Sequence, residues 1–266
     1  MHFLKSLTLV ALILALSACT KHDSEEAQTA DFAVLWATHS AEYQAVSAQV
    51  YAQATRDLPR LLADQSFSAI PGYDGVSGKP PAIILDVDET VLSGVEMELT
   101  LIPFTTQRQY EWGLSHTAIA LRGSAEFVAL AQAMKVEIFF VTNRPCMEYE
   151  GAEGSCPIEQ GTIDDLREIG IETDAEHLYF ANEREGWDRE KVVRREFIAE
   201  THRVIMVFGD DYADFVACSR GTPKLPCTEA ATQLSRAESL ETYQHYWGNG
   251  WYILPNPMYG SWTSVD

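Results

Sequence analysis

Residues 82–90 read AIILDVDET, an apolar run that passes directly into acidic residues. The four apolar residues show no polar alternation, which predicts a short strand buried on both faces. Strands of this kind belong to parallel sheets that are covered by helices. In open sheets of that type, functional groups gather just beyond the carboxyl ends of the strands. The acidic residues of this stretch are therefore candidates for a functional site.

The remainder of the chain alternates between apolar runs and helical patterns. Further strands are predicted at 136–141, 178–180, 204–208 and 251–254. Helices are predicted at 33–62, at 124–134 with Ser124 as N-cap, at 160–169 with Gly170 as terminator, and at 189–200. This alternation predicts an α/β fold, a Rossmann-like parallel sheet with helices on both faces.

One domain is predicted over 33–266, because a chain of 266 residues suits one large domain or a core with a small appendage. Within it, 93–123 has no clean period and contains Pro103 and Gly113, so it is interpreted as an irregular, partly helical insertion. This insertion and the N-terminal helical segment 33–65 are expected to form a small, mainly helical cap.

The N-terminus has the pattern of a secretion signal. Residues 7–16 are almost wholly apolar, a run too short to span a bilayer comfortably as a mature helix. The sequence LSAC at 16–19 resembles a bacterial lipobox, in which the cysteine becomes the lipidated first residue. An ordinary cleavable signal peptide with a chance cysteine at position 19 is the alternative.

The lipobox interpretation divides the N-terminus into a signal peptide over 1–18, a lipidated Cys19, and a polar, lipid-anchored tether over 19–32. Thr20, rather than an aspartate, follows the cysteine. By resemblance to sorting rules of Gram-negative bacteria, this favours the outer membrane. The sequence therefore predicts a membrane attachment through Cys19 and a catalytic domain outside the cytoplasm.

The charge of the chain narrows the class of ligand. The formal net charge is −20, from 19 Lys and Arg residues against 39 Asp and Glu residues. A surface this acidic repels nucleic-acid backbones, so a nucleic-acid polymer is not an expected partner. A small phosphorylated substrate stays compatible, provided that a metal ion or a lysine supplies local positive charge. The sequence predicts no oligomeric state.

Four cysteines follow Cys19, in two close pairs: Cys146 with Cys156, and Cys218 with Cys227. In an oxidising compartment, proximity favours a disulfide within each pair, although four cysteines allow three connectivities. A four-cysteine zinc site is the alternative. It is disfavoured because no pair has the Cys-x-x-Cys spacing of structural zinc sites.

Polar side chains follow three of the predicted strands. Asp86 and Asp88 come after the first strand, Thr142-Asn143-Arg144 ends the second, and GDDYAD at 209–214 ends the fourth. Lys191 lies near the start of the helix before the fourth strand. Because the carboxyl ends of parallel strands share one edge, we expect these groups to converge there. The converging carboxylates are Asp86, Asp88, Asp210 and Asp214.

This group of side chains suits phosphoryl transfer. Asp86 is the candidate nucleophile, since a carboxylate that attacks phosphorus divides hydrolysis into two easier steps through an aspartyl-phosphate. Asp88 is the candidate general acid, which protonates the leaving oxygen and later deprotonates water. Anionic phosphate and carboxylates repel, so a hard cation such as Mg²⁺ is needed between them. Lys191 neutralises further phosphate charge.

The same residues carry a resemblance to a known family. DVDET at 86–90, VTNR at 141–144, Lys191 and GDDYAD at 209–214 are similar, in order, to the four motifs of haloacid dehalogenase-type phosphatases with four aspartates. LPNPMYGSW at 254–262 resembles the tail of the class C bacterial acid phosphatases, also called the lipoprotein e(P4) family.

The resemblance implies a Mg²⁺-dependent acid phosphatase and gives each motif residue a role. Asp86 and Asp88 are the implied catalytic pair, and Thr142, Asn143 and Lys191 the implied phosphate ligands. The implied metal ligands are Asp86, Asp88 through its backbone carbonyl, Asp210 and Asp214.

The resemblance also implies a substrate class, nucleoside 5′-monophosphates, with the base held between aromatic rings. Trp112 and Tyr259 match the positions of those rings, although both could equally be core or rim aromatics. Two other functions stay open at this point. One is a phosphotransferase that uses the same aspartyl-phosphate, and the other is a lipid-anchored phosphate-binding protein without turnover.

Overall fold

The computed structural model describes residues 32–73, 77–95, 106–115 and 119–266, and at 106 and 109 the backbone alone. The predicted signal peptide over 1–18, Cys19, and the tether up to residue 31 lie outside the described residues. Within the described part of the chain, no helix is both long and apolar enough to cross a membrane.

A five-stranded parallel sheet forms the centre of the molecule. Its strands are β1 (Pro81–Leu85), β4 (Glu137–Pro145), β5 (Leu178–Ala181), β6 (Arg203–Gly209) and β7 (Trp251–Ile253). Their spatial order is β5-β4-β1-β6-β7, and every neighbouring pair is parallel. The predicted α/β fold is therefore confirmed, and β1 lies in the middle of the sheet.

Side chains alternate between two apolar cores, one on each face of the sheet. Along β1, Ile83 and Leu85 belong to one core, whereas Ala82 and Ile84 belong to the other. Both faces of the strand are covered, which explains the unbroken apolar run. The acidic residues after Leu85 then emerge at the open edge of the sheet.

Besides a helical segment over 32–39, the described residues form six helices. They are α1 (Ala41–Ala63), α2 (Thr106–Gly113), α3 (Ser124–Ala133), α4 (Pro157–Glu168), α5 (Val192–Thr201) and α6 (Gln233–Thr242). The predicted helices at 160–169 and 189–200 correspond to α4 and α5, with ends that differ by up to three residues. Helix α6 was not predicted, because none of its residues is buried and its sequence has no apolar stripe.

The helix predicted as continuous over 33–62 is divided at Ser40. Residues 32–39 are helical, Ser40 is extended with φ −83° and ψ 135°, and α1 begins at Ala41. The Ser40 hydroxyl oxygen accepts a hydrogen bond from the Tyr43 backbone N–H at 3.0 Å. The continuous prediction was wrong because it weighed apolar spacing alone and overlooked an N-cap inside the run.

The predicted N-cap at Ser124 is also wrong. The cap is Gly123 at φ +93°, and Ser124 is the first helical residue of α3. The Ser124 hydroxyl instead donates to the carbonyl oxygens of Leu121 at 2.8 Å and Val91 at 3.0 Å. A Cβ at position 123 would lie 3.0 Å from the Tyr51 Cβ, so both the dihedral and the close contact with α1 favour glycine.

The insertion after β1 is partly helical, as predicted. Strands β2 (Leu92–Ser93) and β3 (Ile119–Ala120) form a small antiparallel ribbon at its ends, and α2 lies between them. The Tyr110 ring of α2 stacks on Tyr149 at 4.7 Å, and its hydroxyl accepts the Ile158 N–H at 3.0 Å. These contacts attach the insertion to the segment between β4 and α4.

Helix α1 contributes residues to two apolar clusters. Its middle residues Tyr51 and Leu58 belong to the main core. Tyr43 in its first turn joins a separate small cluster with Val95 of the insertion and Met258 of the C-terminal segment. This cluster is where the predicted cap region and the C-terminal tail meet.

Two disulfides close short segments of the chain. Cys146 is joined to Cys156 with a Cα–Cα distance of 4.8 Å, and Cys218 is joined to Cys227 with a Cα–Cα distance of 5.3 Å. The first links the end of β4 to the start of α4. The second closes the loop that follows the acidic residues after β6.

Candidate active site

The candidate site lies at the carboxyl edge of the three central strands. Asp86 follows β1, Asp210 follows β6, and β4 itself runs through Asn143 and Arg144. The Asp86 backbone N–H donates to the Phe208 carbonyl oxygen at 3.0 Å, which continues the ladder between β1 and β6 into the site. The site therefore inherits its geometry from the rigid centre of the sheet.

Lys191 joins two of the predicted site carboxylates. Its ammonium nitrogen lies 2.6 Å from Asp86 Oδ1 and 2.7 Å from Asp214 Oδ1. The Lys191 side chain is only 3% exposed, because the residue caps the start of α5 beneath the rim. A buried ammonium between two carboxylates is a preformed partner for anionic oxygens at the same place.

Asp86, Asp210 and Asp214 form a compact group of carboxylates. One oxygen from each lies within 4.8 Å of the other two. The Asn256 amide donates to Asp210 Oδ2 at 2.8 Å, and the Thr90 hydroxyl donates to Asp210 Oδ1 at 3.4 Å. Three hard oxygen ligands at this separation fit a divalent cation such as Mg²⁺.

Electrostatics in the group are dominated by burial of negative charge. Burial raises the pKa of Asp86 to about 6, with Lys191 opposing the rise and Asp214 adding to it. Burial, together with Asp214 and Asp86, also raises the pKa of Asp210 well above its ordinary value. Burial alone would lower the pKa of Lys191, but the carboxylates of Asp214 and Asp86 outweigh it and raise that pKa. The carboxylates thus exceed the positive charge that Lys191 supplies.

Asp88 lies apart from this group and forms an ion pair with Arg144. Arg144 Nε lies 3.1 and 3.2 Å from the two Asp88 oxygens, and a terminal nitrogen lies 2.8 Å from Asp88 Oδ1. The other terminal nitrogen of Arg144 donates to Thr162 and to Asp165 Oδ2, both at 3.0 Å. Helix α4 therefore orients Arg144, and Arg144 orients Asp88 by a forked contact.

The motif after β6 combines a site residue with a structural one. Asp214 Oδ2 accepts the Asp211 N–H at 3.0 Å, and Asp211 Oδ1 accepts the Ala213 N–H at 3.0 Å, forming a capping box. Asp211 Oδ2 also accepts the Ser261 N–H at 2.6 Å. Asp211 therefore ties the C-terminal segment to the rim, and a side chain at Gly209 would overlap Asp214.

The predicted phosphate ligands differ in their exposure. Asn143 is half-buried, and its Oδ1 accepts a hydrogen bond from Arg194 at 2.7 Å. Thr142 is fully buried, and its hydroxyl oxygen accepts the Arg144 N–H at 3.1 Å. Of the three predicted ligands, Asn143 and Lys191 reach the cavity surface, whereas Thr142 lies in the wall behind it.

A cavity of about 450 Å³ opens above these groups. The predicted site residues in its lining are Asp86, Asp88, Asn143, Lys191, Asp210, Asp214 and Tyr259. Trp112 is not in the lining of this cavity. The residue is only 9% exposed, and its ring packs against Arg144, whose guanidinium carbon lies 5.6 Å from the ring centre. The described structure therefore does not form the predicted pair of rings across the mouth, because Trp112 supports Arg144 instead.

Several lining or supporting residues were not selected from the sequence, among them three arginines. Arg144 belongs to the VTNR motif, but no role was predicted for it, because its buried contacts are not visible in the sequence. Arg189 and Arg220 also line the cavity, and Asn256 anchors Asp210. Arg220 comes from the loop closed by Cys218 and Cys227, where no sequence pattern indicates proximity to the rim.

Comparison with known proteins identifies similar chains. The family model described as HAD superfamily, subfamily IIIB (acid phosphatase) matches residues 5–262. The crystal structure of the class C acid phosphatase from Bacillus anthracis with tungstate bound is similar, with 26% sequence identity and a TM-score of 0.70. That match covers 88% of this chain and 86% of the other. A second structure of the Bacillus anthracis enzyme matches with a TM-score of 0.69 at the same identity and coverage.

Proposed function

The chain belongs to the acid phosphatases of HAD superfamily subfamily IIIB, and from that premise we propose that it hydrolyses phosphomonoesters through an aspartyl-phosphate at Asp86. The chemistry of the family makes it a phosphoric monoester hydrolase. The observation that carries the finer proposal is the contact of Lys191 with Asp86 and Asp214 beside Asp210. Release of phosphate by the wild type but not by an Asp86→Asn variant tests it.

The proposed reaction has two steps. An Asp86 oxygen attacks phosphorus, the ester P–O bond breaks, and the leaving oxygen takes a proton from Asp88. The Asp88 carboxylate then takes a proton from water, whose oxygen attacks phosphorus, and the bond to Asp86 breaks to release inorganic phosphate. Lys191 stabilises the negative charge that develops on the phosphoryl oxygens.

The role of Asp88 is supported by its place in the lining and by the forked contact with Arg144. Asp88 lies two residues from the nucleophile but belongs to a different set of contacts, so its carboxylate is not occupied by Lys191. The contact with Arg144 fixes the position of the Asp88 carboxyl group in the cavity lining. Because Arg144 donates to both Asp88 oxygens, one oxygen must be released from this contact before it carries the proton for the leaving group.

We expect Asp88→Asn to slow the hydrolysis of substrates with poor leaving groups most. Hydrolysis of an alkyl phosphate should fall by roughly 10²- to 10⁴-fold, since the alkoxide needs a proton, whereas nitrophenyl phosphate should lose far less. The measurement is kcat/KM for both substrates. Asp164→Asn, an equal change on the exposed part of α4, should alter neither rate. Equal losses on both substrates with Asp88→Asn would remove Asp88 from this role.

We propose Mg²⁺ as the cofactor. The all-oxygen set of Asp86, Asp210 and Asp214 would hold it, with the backbone carbonyl of Asp88 as a further ligand. When bound, the ion neutralises and orients the transferring phosphate. The excess of buried negative charge in the group supports this assignment, because buried charges are retained in proteins when paired or when they coordinate metals.

We propose nucleoside 5′-monophosphates as substrates, on the strength of the family resemblance and of Tyr259 in the lining. The cavity of about 450 Å³ is much larger than a phosphate group and suits a small-molecule ligand. Because the phosphate contacts are common to every phosphomonoester, preference for nucleotides depends on residues beyond them. Tyr259 is the described aromatic residue in the lining that can stack on a base.

Truncation of Tyr259 should therefore separate nucleotides from aliphatic phosphates. We expect Tyr259→Ala to raise KM for nucleoside monophosphates roughly tenfold to a hundredfold, since one stacked base contributes about 1–3 kcal/mol. Tyr259→Phe should keep the wild-type KM, and glycerol phosphate should be little affected. By contrast, Trp112→Ala should lower kcat/KM for both substrates together, because Trp112 packs on Arg144. A uniform loss with Tyr259→Ala would contradict base stacking.

We propose that the enzyme is a lipoprotein, anchored through Cys19 in the outer membrane with its catalytic domain outside the cytoplasm. The lipobox LSAC at 16–19 supports the anchor. The two cysteine pairs support an oxidising compartment, where disulfides persist.

Labelled palmitate should be incorporated by the wild type and lost in Cys19→Ala, because the thiol is the proposed acceptor. Cys19→Ala should either be released or stay tethered by an uncleaved signal, and its catalytic domain should stay active. Fractionation and phosphatase assay measure both. Retention of the label in the variant would show that the anchor lies elsewhere.

A further inference from the structure

Four cationic residues line the cavity, and the proposed phosphate chemistry uses only two of them. Two of its cations are committed to site carboxylates: Lys191 to Asp86 and Asp214, and Arg144 to Asp88 and Asp165. Two further arginines, Arg189 and Arg220, line the same cavity and take no part in either arrangement. The lining also contains five aspartates, so these two arginines matter through their positions and not through an excess of positive charge.

Arg220 is held in a defined position at the cavity. Its Nε lies 3.3 Å from Glu190 Oε1, and a terminal nitrogen lies 3.9 Å from Asp211 Oδ2. The Glu190 side chain is fully buried, and the Arg220 side chain is 15% exposed. The Arg220 Nε is buried against Glu190, so a ligand in the cavity would be contacted through the terminal nitrogens of the guanidinium group.

The disulfide between Cys218 and Cys227 closes the loop that carries Arg220. Asp211, beside Arg220, also binds the Ser261 N–H of the C-terminal segment. Arg220 therefore belongs to the flank of the cavity formed by that segment, whereas Arg144 belongs to the flank formed by Asp88.

Arg189 differs from the other cations of the cavity lining in being exposed. Within the described part of the chain its side chain makes neither an ion pair nor a hydrogen bond. It precedes Lys191 by two residues and lines the same cavity. An unpaired guanidinium presents five N–H donors in a planar fork that matches phosphate oxygens.

Resting on the function proposed above, we propose that Arg189 and Arg220 form a second anion subsite that selects phosphomonoesters carrying a second phosphate group. The first phosphate lies at Asp86 and Lys191, and it fills only part of a 450 Å³ cavity. Arg220 supplies a fixed contact and Arg189 an adaptable one. A carboxylate shares the chemistry of anionic oxygens, but it has fewer of them and less charge for two guanidinium groups to bind.

Binding without turnover tests this subsite separately from the reaction. We would use Asp86→Asn protein with Mg²⁺ and measure by calorimetry the Kd of adenosine 5′-monophosphate and of adenosine 3′,5′-bisphosphate. The bisphosphate should bind about tenfold or more tightly, since a charge-assisted hydrogen bond contributes about 1.5–3 kcal/mol. Adding Arg189→Gln or Arg220→Gln should reduce that ratio severalfold. Arg56→Gln, the same change on the exposed side of α1, should leave it intact.

Each outcome decides the proposal. An unchanged ratio in both variants overturns the subsite, whatever the wild type hydrolyses. If Arg220→Gln fails to fold by circular dichroism, since it leaves Glu190 buried and unpaired, Arg189→Gln alone decides. The same measurement with 3-phosphoglycerate and glycerol phosphate tests a carboxylate as the second group. If the arginines increase affinity more for that carboxylate than for the second phosphate of the bisphosphate, the choice of phosphate is overturned. Failure of wild-type hydrolysis, with the Kd ratio intact, overturns the proposed function and leaves the subsite standing.

Discussion

Replacement of Asp86 by asparagine is expected to abolish turnover, with kcat/KM falling by about 10⁴-fold or more. The amide has no anionic oxygen to attack phosphorus, and the general acid cannot replace a missing nucleophile. The loss should be equal for good and poor leaving groups, unlike that of Asp88→Asn. Phosphate release from nitrophenyl phosphate and from a nucleoside monophosphate measures it.

The fold of this variant should survive. Burial raises the pKa of Asp86 to about 6, so the folded protein binds protons more readily than the unfolded chain between about pH 4 and pH 6. The free energy of unfolding of metal-free wild type therefore declines across that window as pH rises. Asp86→Asn lacks this titration, and at pH 7 in EDTA its Tm should be no lower than that of wild type.

Trapping locates the nucleophile directly. Acid-quenched wild type incubated with labelled substrate should carry the label on Asp86, whereas the asparagine variant should carry none. Asp164→Asn should behave as wild type, since Asp164 lies on the surface of α4. Label on a histidine or a serine would contradict the proposed mechanism.

Removal of divalent metal is expected to have an effect of similar size. Exhaustive treatment with EDTA should reduce hydrolysis to background, because Asp86, Asp210 and Asp214 then repel an anionic substrate without the cation that offsets their charge. Mg²⁺ should restore the activity. Asp210→Asn should require much more Mg²⁺ for half-maximal activity, because the amide is a weaker ligand than the carboxylate.

A second readout does not depend on activity. Mg²⁺ should raise the Tm of wild type at pH 7, since an ion that binds only the folded state stabilises it. The increase should be smaller in Asp210→Asn. The metal-induced increase should also shrink as pH falls, because the raised pKa of Asp210 favours protonation in competition with the metal. Full activity after chelation, or a Tm that does not change when Mg²⁺ is added, would contradict the proposed metal site.

The motif residues could be located from sequence because parallel strands impose a simple rule. Each strand of β1, β4 and β6 begins in the core and ends at the same edge, so polar residues after an apolar run must meet there. Asp86, Asn143 and Asp210 were predicted on that basis, Lys191 from its place in the order of the motifs, and all four lie together in one cavity. Local errors, such as the undivided helix through Ser40, did not change the edge to which any strand points.

Contacts between distant segments were beyond the reach of any pattern along the chain. Arg144 and Asp165 meet because the turn after β4 brings α4 back over the strand end, and nothing near either residue in sequence indicates a partner. Trp112 likewise lies on Arg144 because the insertion folds against α4, although its type suited a stacking role. Arg220 reaches the rim through a disulfide loop held by Glu190 and Asp211. The periodicity of a sequence predicts strands, their direction and the edge where they end, because those depend on local burial. Side-chain orientation across that edge depends on packing between segments far apart in the chain, and only the folded structure resolves it.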